Sequence, residues 1–161
     1  MILLFRKQHT LHTVFIKRAE YPGVHSGQIS FPGGMFEPGD PSLIETAMRE
    51  TEEEIGISRN RIRVVGHLSV LHIAVSNVDV LPVVAVLAGP PEYTADHAEV
   101  EYIIEAKLED LLDSHNIKRE MITAGDFEIE APYYDIDGHH IWGATAMMLS
   151  EFLEIMEKLR S

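Results

Sequence analysis

Short runs of apolar and β-branched residues alternate with polar segments along the chain and predict β-strands. The predicted strands span residues 2–5, 11–17, 63–71, 78–87, 100–104 and 127–141. The last run contains Asp137-Gly138, which predicts a hairpin because glycine accepts the positive φ that a tight turn requires.

Three segments have the apolar spacing of helices, namely 40–54, 108–114 and 145–159. In the first segment Asp40 is the predicted N-cap, and Pro41 is the predicted first helical residue, where a missing N–H costs no hydrogen bond. Gly56 is placed to end this helix in a left-handed conformation. Helices set between strands of mixed spacing predict an α+β fold that is layered around a mixed sheet.

A length of 161 residues favours a single domain, 1–161. The chain has 26 acidic and 13 basic residues and a formal net charge of -13, which disfavours binding to nucleic acid or to an anionic membrane. An acidic protein can still hold a small polyanion if divalent cations lie between its carboxylates and the ligand's phosphates. The charge is therefore compatible with a metal-dependent phosphate chemistry.

The chain has no cysteine, which excludes disulfides, zinc thiolate sites and a cysteine nucleophile. The apolar run 1–5 is too short for the core of a signal peptide. The run 80–88 is interrupted by Pro82 and is too short to span a bilayer. These features predict a cytoplasmic protein without a membrane segment.

Glu50, Glu53 and Glu54 of the first predicted helix lie next to one another at helical spacings. Like charges so spaced cost about a few tenths of a kcal/mol per pair, and the single guanidinium of Arg49 cannot neutralise three carboxylates. A divalent cation such as Mg²⁺ or Mn²⁺ can do so. A solvated helix face is the commoner meaning of an acidic run. The preceding Gly33-Gly34 pair favours the cation site, because glycine lets backbone atoms approach a ligand closely.

The same region resembles the Nudix box. That motif has a glycine, an acidic residue six positions later, then Arg-Glu, an aliphatic residue, any residue, Glu-Glu, any residue, Gly and an aliphatic residue. Here Gly34, Asp40 and the run 49–57, RETEEEIGI, match it. The chain departs from the motif in three ways: Asp40 replaces a glutamate, Thr51 takes the aliphatic position, and Gly34 to Arg49 is one residue longer.

The first and third departures are typical of the coenzyme A pyrophosphatase subgroup, which the chain also resembles outside the box. The similarity extends to Lys17-Arg18, to the run 25–34, HSGQISFPGG, and to later pieces at 80–84, 99–100 and 141–146. The subgroup has Leu-Arg ahead of the His-x-Gly-Gln segment, where this chain has Gly23-Val24. The resemblance therefore implies the reaction more firmly than the substrate.

The resemblance implies the Nudix fold, an α/β/α sandwich around a mixed sheet, and a hydrolase of diphosphate bonds with Mg²⁺ or Mn²⁺ as cofactor. It implies that Glu50 and Glu54 are the principal metal ligands. Glu53 would be a further ligand or a water-mediated contact, and the carbonyl of Gly34 a fourth ligand. Arg49 would orient the glutamates.

The general base in this superfamily often lies outside the box. Glu99 is the predicted base, because it matches a Glu-Val pair that opens a strand in the subgroup. Glu101 is the second choice, and Glu53 is an alternative within the box. Taken singly, each of Glu92, Glu99, Glu101 and Glu105 is more often a surface carboxylate than a catalytic one.

Residues ahead of the box are candidates for substrate contact through hydrogen bonds, charge or stacking. They are Lys17, Arg18, His25, Gln28 and Phe31. The alternative for Phe31 is a place in the core.

Trp142 is predicted to lie in the core. His139 and His140 are predicted to point to opposite faces of a strand, which makes a shared metal ion improbable.

Three functions remain open from the sequence. The leading hypothesis is hydrolysis of coenzyme A or its derivatives to 4′-phosphopantetheine, or its acyl form, and adenosine 3′,5′-bisphosphate. The second is the same reaction on ADP-ribose, an oxidised nucleotide or another nucleoside diphosphate derivative. The third, a non-catalytic nucleotide-binding module, is disfavoured because all three box glutamates are present. The expected partner is a small nucleotide, and the resemblance alone implies a homodimer.

Overall fold

The computed structural model describes residues 1–20, 22, 25–124 and 127–160. Gly23 and Val24, where the chain departs from the subgroup, lie outside the described residues. The described residues form eleven strands and three helices. In chain order they are β1 (Ile2–Lys7), β2 (Thr10–Arg18), β3 (Ile29–Ser30), α1 (Leu43–Ile55), β4 (Ile62–His67), β5 (Leu71–Ile73), β6 (Val78–Val80), β7 (Val83–Leu87), β8 (Val100–Lys107), α2 (Leu108–Leu112), β9 (Ile117–Ala124), β10 (Phe127–Ile136), β11 (His139–Ile141) and α3 (Gly143–Arg160).

The main sheet contains six of these strands and has mixed direction. Its hydrogen-bonded order is β3-β2-β1-β7-β4, and β8 pairs with β2. β1 runs parallel to β7 and antiparallel to β2. The predicted mixed sheet is therefore confirmed.

Alternate residues of β1 divide the core into two halves, because successive side chains of a strand point to opposite faces. Leu3 and Phe5 face α1, whereas Ile2 and Leu4 face α3. None of the four is more than 7% exposed. The helices contribute Ala47 and Ile55 on one side and Leu149, Phe152 and Leu153 on the other. The sheet thus lies between two helical layers, as the α+β sandwich predicts.

A second sheet, β9-β10-β11, packs on the α3 side of the main sheet. The predicted hairpin at Asp137-Gly138 is confirmed, since these residues have φ values of 53° and 81° and join β10 to β11. The backbone N–H of Gly138 donates to Asp135 Oδ1 at 3.1 Å. The strand β9 was not predicted, because its consecutive charged residues 118–120 interrupt the apolar pattern.

Two predicted strands are each interrupted. The run 63–71 is divided between β4 and β5, and the run 78–87 is divided between β6 and β7. Pro82 lies between β6 and β7, where it cannot donate to a sheet, and its carbonyl accepts from the N–H of Leu68 at 2.9 Å.

The predicted start of the first helix is wrong. α1 begins at Leu43, and its N-cap is Ser42, whose hydroxyl accepts from the N–H of Glu45 at 3.3 Å. The predicted end is confirmed, because Gly56 has a φ of 73° and its N–H donates to the carbonyl of Glu52. Among the described residues, no helix combines the length and apolar character that crossing a bilayer requires.

Candidate active site

The site is built where the loop after β3 meets α1. Glu54, in the last turn of α1, is 2% exposed. One of its carboxylate oxygens accepts from the backbone N–H of Gly33 at 2.7 Å, and the other lies 3.4 Å from a guanidinium nitrogen of Arg18. A buried carboxylate is therefore held between the glycine loop and the end of β2.

Glu50, Glu54 and Glu99 form a cluster of three carboxylates, which we call the acidic cluster. Each offers an oxygen, and these oxygens all lie within 4.8 Å of one another. Glu99 reaches the cluster from the turn before β8, and its carbonyl accepts from the N–H of Ala19 at 2.8 Å. Three hard oxygen donors this close together fit a divalent cation.

The electrostatics of the acidic cluster agree with that fit. Burial, together with the neighbouring Glu50 charge, raises the pKa of Glu54 to about 7 against the hydrogen bond from Gly33 and the attraction of Arg18. Burial also raises the pKa of Glu50, despite its contact with Arg49. A cation in the cluster would relieve the penalty that both carboxylates carry when ionised.

Arg49 ties the glycine loop to α1. Its guanidinium makes two bonds of 3.0 Å to the two oxygens of Asp40 and single bonds of 2.8 Å to Glu50 and to Glu53. A further N–H donates to the carbonyl of Met35 at 3.0 Å. Hydrogen bonding to Arg49 holds the pKa of Asp40 well below its usual range. Asp40 thus serves as the partner of Arg49 rather than as the predicted cap of α1.

Glu53 lies outside the acidic cluster. Its side chain is 57% exposed and forms an ion pair with Arg49 four residues earlier. Glu53 is therefore linked to Glu50 through Arg49, whose same nitrogen binds both, and it is not a member of the acidic cluster. On the opposite side of α1, Thr51 is fully buried and its hydroxyl donates to the carbonyl of Ala47 at 2.7 Å. That bond satisfies the hydroxyl of Thr51, which occupies the position where the Nudix box has an aliphatic side chain.

A cleft of about 470 Å³ lies on the other face of the main sheet, on the α3 side. The candidate substrate residues Lys17 and Gln28 line it. The ammonium of Lys17 also donates to the carbonyl of Gly27, and His25 Nδ1 lies 3.1 Å from the amide oxygen of Gln28. Arg18 instead faces the acidic cluster, because it follows Lys17 on β2 and points to the opposite face.

Phe31 lies apart from this cleft. It is 6% exposed, and its ring stacks on Phe15 in the core with a centroid distance of 4.6 Å. Trp142 was predicted to be in the core, and that prediction is wrong, because Trp142 is only partly buried and lines the cleft.

The sequence also missed the other aromatic residues of the cleft, Tyr102, His139 and His140. Tyr102 is the cross-strand partner of Lys17. The available indication of the cleft was Tyr102 itself, an aromatic residue in an exposed strand position opposite a lysine. The two histidine rings have different aromatic neighbours, since the ring of His139 lies 5.6 Å from that of Tyr102 and the ring of His140 lies 4.3 Å from that of Tyr133, although both residues line the cleft.

A family model described as the NUDIX domain matches residues 1–124. The chain belongs to the Nudix family. It is similar to the protein named "uncharacterized Nudix hydrolase NudL" of Photorhabdus laumondii, with 30% identity over 153 residues that cover 95% of this chain and 75% of the relative. The NudL protein of Yersinia pestis is 32% identical over 152 residues, which cover 91% of this chain and 72% of the relative.

Among solved structures, the Nudix hydrolase RenU of M. smegmatis resembles the chain with a TM-score of 0.69 and 12% identity, over 98% of this chain and 83% of the other. At that identity the likeness shows the Nudix fold alone. The family match makes the chain a pyrophosphohydrolase, and Nudix hydrolases generally use divalent metal ions such as Mg²⁺ or Mn²⁺.

In this Nudix hydrolase, Gly34 leaves room for the Glu50 carboxylate. A Cβ atom at position 34 would overlap the Glu50 carboxyl group, whereas a Cβ at Gly39, in the same loop, would meet nothing within 4 Å. We expect Gly34→Ala to displace the carboxylate and lower kcat/KM about 10- to 100-fold, the range for residues that orient metal ligands. The flexible end of Glu50 can move, so the melting temperature should change little.

Steady-state kinetics and a thermal melt of both variants test this expectation. Gly39→Ala should behave as the parent protein in both measurements. Equal activity of Gly34→Ala and Gly39→Ala would show that the close approach of residue 34 to Glu50 has no role in hydrolysis.

The raised pKa of Glu54 predicts how the metal-free protein responds to pH. Folded Glu54 titrates at about 7 against an ordinary value of 4.5, so the folded state binds the proton more tightly between these values. The free energy of unfolding therefore falls as pH rises from about 4.5 to about 7, by about 3 kcal/mol from this group.

Burial lowers the pKa of the Met1 amino group to about 5, which acts in the opposite direction. The contribution of Glu54 is therefore obtained by comparison with Glu54→Gln. The free energy of unfolding of each protein is measured by denaturant unfolding, with chelator, at pH 5 and at pH 8. The parent should lose about 3 kcal/mol more than the variant between the two pH values. A difference near zero would contradict the burial argument.

Proposed function

We propose that this Nudix hydrolase cleaves the diphosphate bond of coenzyme A or a coenzyme A derivative with Mg²⁺ or Mn²⁺. The products are 4′-phosphopantetheine, or its acyl form, and adenosine 3′,5′-bisphosphate. The single observation that carries the reaction is the acidic cluster, set between the glycine loop and Arg18. The substrate rests on the resemblance of the run 25–34 to the coenzyme A pyrophosphatase subgroup.

Glu50 and Glu54 are the proposed principal metal ligands, and Glu99 lies beside them. Bound Mg²⁺ or Mn²⁺ would neutralise phosphate charge and make a water molecule more acidic. The carbonyl of Gly34 is proposed as a further ligand. Glu53, which pairs with Arg49 and is more exposed than the cluster, is proposed to contribute through water.

Arg18 is proposed to bind a phosphate oxygen of the substrate. Its Nε is buried and has no hydrogen-bond partner among the described residues, while a terminal nitrogen of the same guanidinium lies near Glu54. A buried unpaired donor costs about 1–3 kcal/mol, so a ligand that accepts from it gains that much. Lys17, His25 and Gln28 are proposed contacts farther along the substrate.

Glu99 is the proposed general base. Its side chain is exposed at the rim of the acidic cluster, where a water molecule can approach it. The attacking water would lose its proton to Glu99 as its oxygen bonds to one phosphorus. The bridging P–O bond then breaks, and the second phosphate leaves with the electron pair.

Coenzyme A incubated with the protein and Mg²⁺ or Mn²⁺ is expected to yield adenosine 3′,5′-bisphosphate and 4′-phosphopantetheine in equal amounts. Chromatography of the quenched reaction measures both products. The matched control adds a chelator, which should abolish turnover. Absence of adenosine bisphosphate with both metals would reject coenzyme A as the substrate.

The cleft supports a second candidate, a nucleoside diphosphate derivative such as ADP-ribose or an oxidised nucleotide. Among the described residues that line the cleft, Lys17 is the sole lysine or arginine, which is few for a ligand with an additional 3′-phosphate. A panel ranked by kcat/KM decides. A value for ADP-ribose equal to or above that for coenzyme A would favour this candidate.

We also propose that residues 1–161 form one domain that works as a cytoplasmic homodimer. Residues beyond the matched 1–124 supply seven of the eighteen buried residues of one core, Tyr134, Ile141 and Leu149 among them, which supports the single domain. The dimer and the location rest on the resemblance and on the sequence. Light scattering of the purified protein would test the dimer.

A further inference from the structure

The cleft on the α3 side is separate from the acidic cluster, yet the two are joined at the end of β2. Lys17 lines the cleft, and the next residue, Arg18, contacts Glu54 on the other face of the sheet. Their partners on β8 divide in the same way. Tyr102, opposite Lys17, lines the cleft, and Val100, opposite Arg18, is buried on the α1 side. Neighbouring residues at one strand end therefore line the two sites, and a ligand whose phosphates meet Arg18 would have to pass this strand end to enter the cleft.

Part of the wall of the cleft is aromatic, and polar groups lie beside the aromatic rings. Tyr102, His139 and Trp142 line it together with the amide of Gln28 and the carboxylate of Glu120. Tyr102 is 38% exposed, so its ring has free surface. The ring of His139 lies 5.6 Å from that of Tyr102 at an angle of 44°. Flat apolar surfaces with hydrogen-bonding groups beside them fit an aromatic heterocycle with a polar edge.

We infer that this cleft binds the base of the nucleotide half of the substrate, with Tyr102 and Trp142 as stacking surfaces and Gln28 and Glu120 at the polar edge of the base. The inference rests on the proposed function for the placement of the diphosphate at the acidic cluster. It assigns residues that lie outside the Nudix box, two of them, Glu120 and Trp142, in or next to the second sheet. These residues determine which nucleotide the enzyme accepts and do not take part in bond cleavage.

The single tryptophan of the chain provides a direct measurement, because Trp142 lines the cleft itself. We expect AMP to quench its fluorescence saturably in protein kept metal-free with chelator. Ribose 5-phosphate, which differs from AMP in lacking the base, should leave the fluorescence unchanged. Equal quenching by both compounds would overturn the assignment, since the cleft would then bind the sugar phosphate.

Variants separate stacking from a general structural effect. Tyr102→Ala should weaken AMP binding about tenfold, within the range for loss of one base–aromatic stack, whereas Tyr102→Phe should keep the affinity. His139→Ala should weaken it by a smaller factor. The matched control is His115→Ala, the same substitution at a side chain that is 92% exposed outside the cleft, and it should bind AMP as the parent does.

An AMP affinity that Tyr102→Ala leaves unchanged would overturn the assignment. If Tyr102→Ala does not fold, the comparison of AMP with ribose 5-phosphate on the parent protein still decides. The proposed function is tested by a separate measurement, which is turnover in the presence of metal. Quenching by AMP without hydrolysis of coenzyme A would remove the proposed substrate and support the cleft. Hydrolysis of coenzyme A without quenching by AMP would support the proposed substrate and overturn the assignment of the cleft.

Discussion

Replacing Glu54 by glutamine is expected to lower kcat/KM for diphosphate hydrolysis by about 10³-fold, because a catalytic metal supplies several kcal/mol of charge stabilisation and each 1.36 kcal/mol is a factor of ten. Glu54 is the most buried member of the acidic cluster, and Gly33 and Arg18 fix its two oxygens. A neutral amide in the same place keeps the shape and loses the charge that would hold the cation.

The fold should survive this substitution. The amide oxygen of a glutamine at position 54 can still accept from the N–H of Gly33, and the neutral side chain avoids the desolvation that raises the pKa of Glu54. Above pH 7 and without metal, the variant should therefore unfold at a temperature equal to or higher than that of the parent. A loss of activity together with a gain in metal-free stability would be hard to explain by misfolding.

Glu52→Gln is the matched control on the same helix. Glu52 belongs to the same acidic run, but its side chain is 39% exposed and pairs with Arg59 at 2.8 Å, away from the acidic cluster. The charge change is identical, so Glu52→Gln should keep activity and Mn²⁺ binding. Isothermal calorimetry with Mn²⁺ and steady-state kinetics provide the two measurements. Equal Mn²⁺ affinity in both variants would remove Glu54 from the metal site.

The parts of the site that the sequence predicted depend on residues close together in the chain. Glu50 and Glu54 are neighbours on any helix through this segment, and Gly56 ends that helix because its left-handed conformation is a local property. Asp40 was misassigned because it and Ser42 are both good N-caps, and local rules cannot choose between them. The choice is made by Arg49, which is nine residues away and binds both oxygens of Asp40.

The parts that the sequence missed depend on pairing between distant strands. Tyr102 enters the cleft because β8 pairs with β2 in a register that places it opposite Lys17. Trp142 lies between β11 and α3, and a hydrophobic residue at such a junction can face either the core or a cleft. Glu53 shows the same limit within one helix: helical spacing places it beside Glu50 and Glu54, but its side chain is 57% exposed and pairs with Arg49.

Replacing Glu99 by glutamine is expected to lower kcat by about 10²- to 10⁴-fold, the contribution of a positioned general base. Glu101, the second candidate for the general base, provides the matched control. It lies one step into β8, is exposed, and is not part of the acidic cluster among the described residues, so Glu101→Gln should keep its activity.

The pH dependence of kcat separates a base from a ligand at position 99. If Glu99 takes the proton from the attacking water, Glu99→Gln should lose the acidic limb of the profile and keep the Mn²⁺ concentration that gives half-maximal rate. If Glu99 serves only as a metal ligand, Glu99→Gln should keep the acidic limb and need a higher Mn²⁺ concentration for half-maximal rate. Glu53→Gln completes the comparison, because Glu53 pairs with Arg49 and is not a member of the acidic cluster. Loss of the acidic limb in Glu53→Gln, with the limb intact in Glu99→Gln, would move the base into the Nudix box.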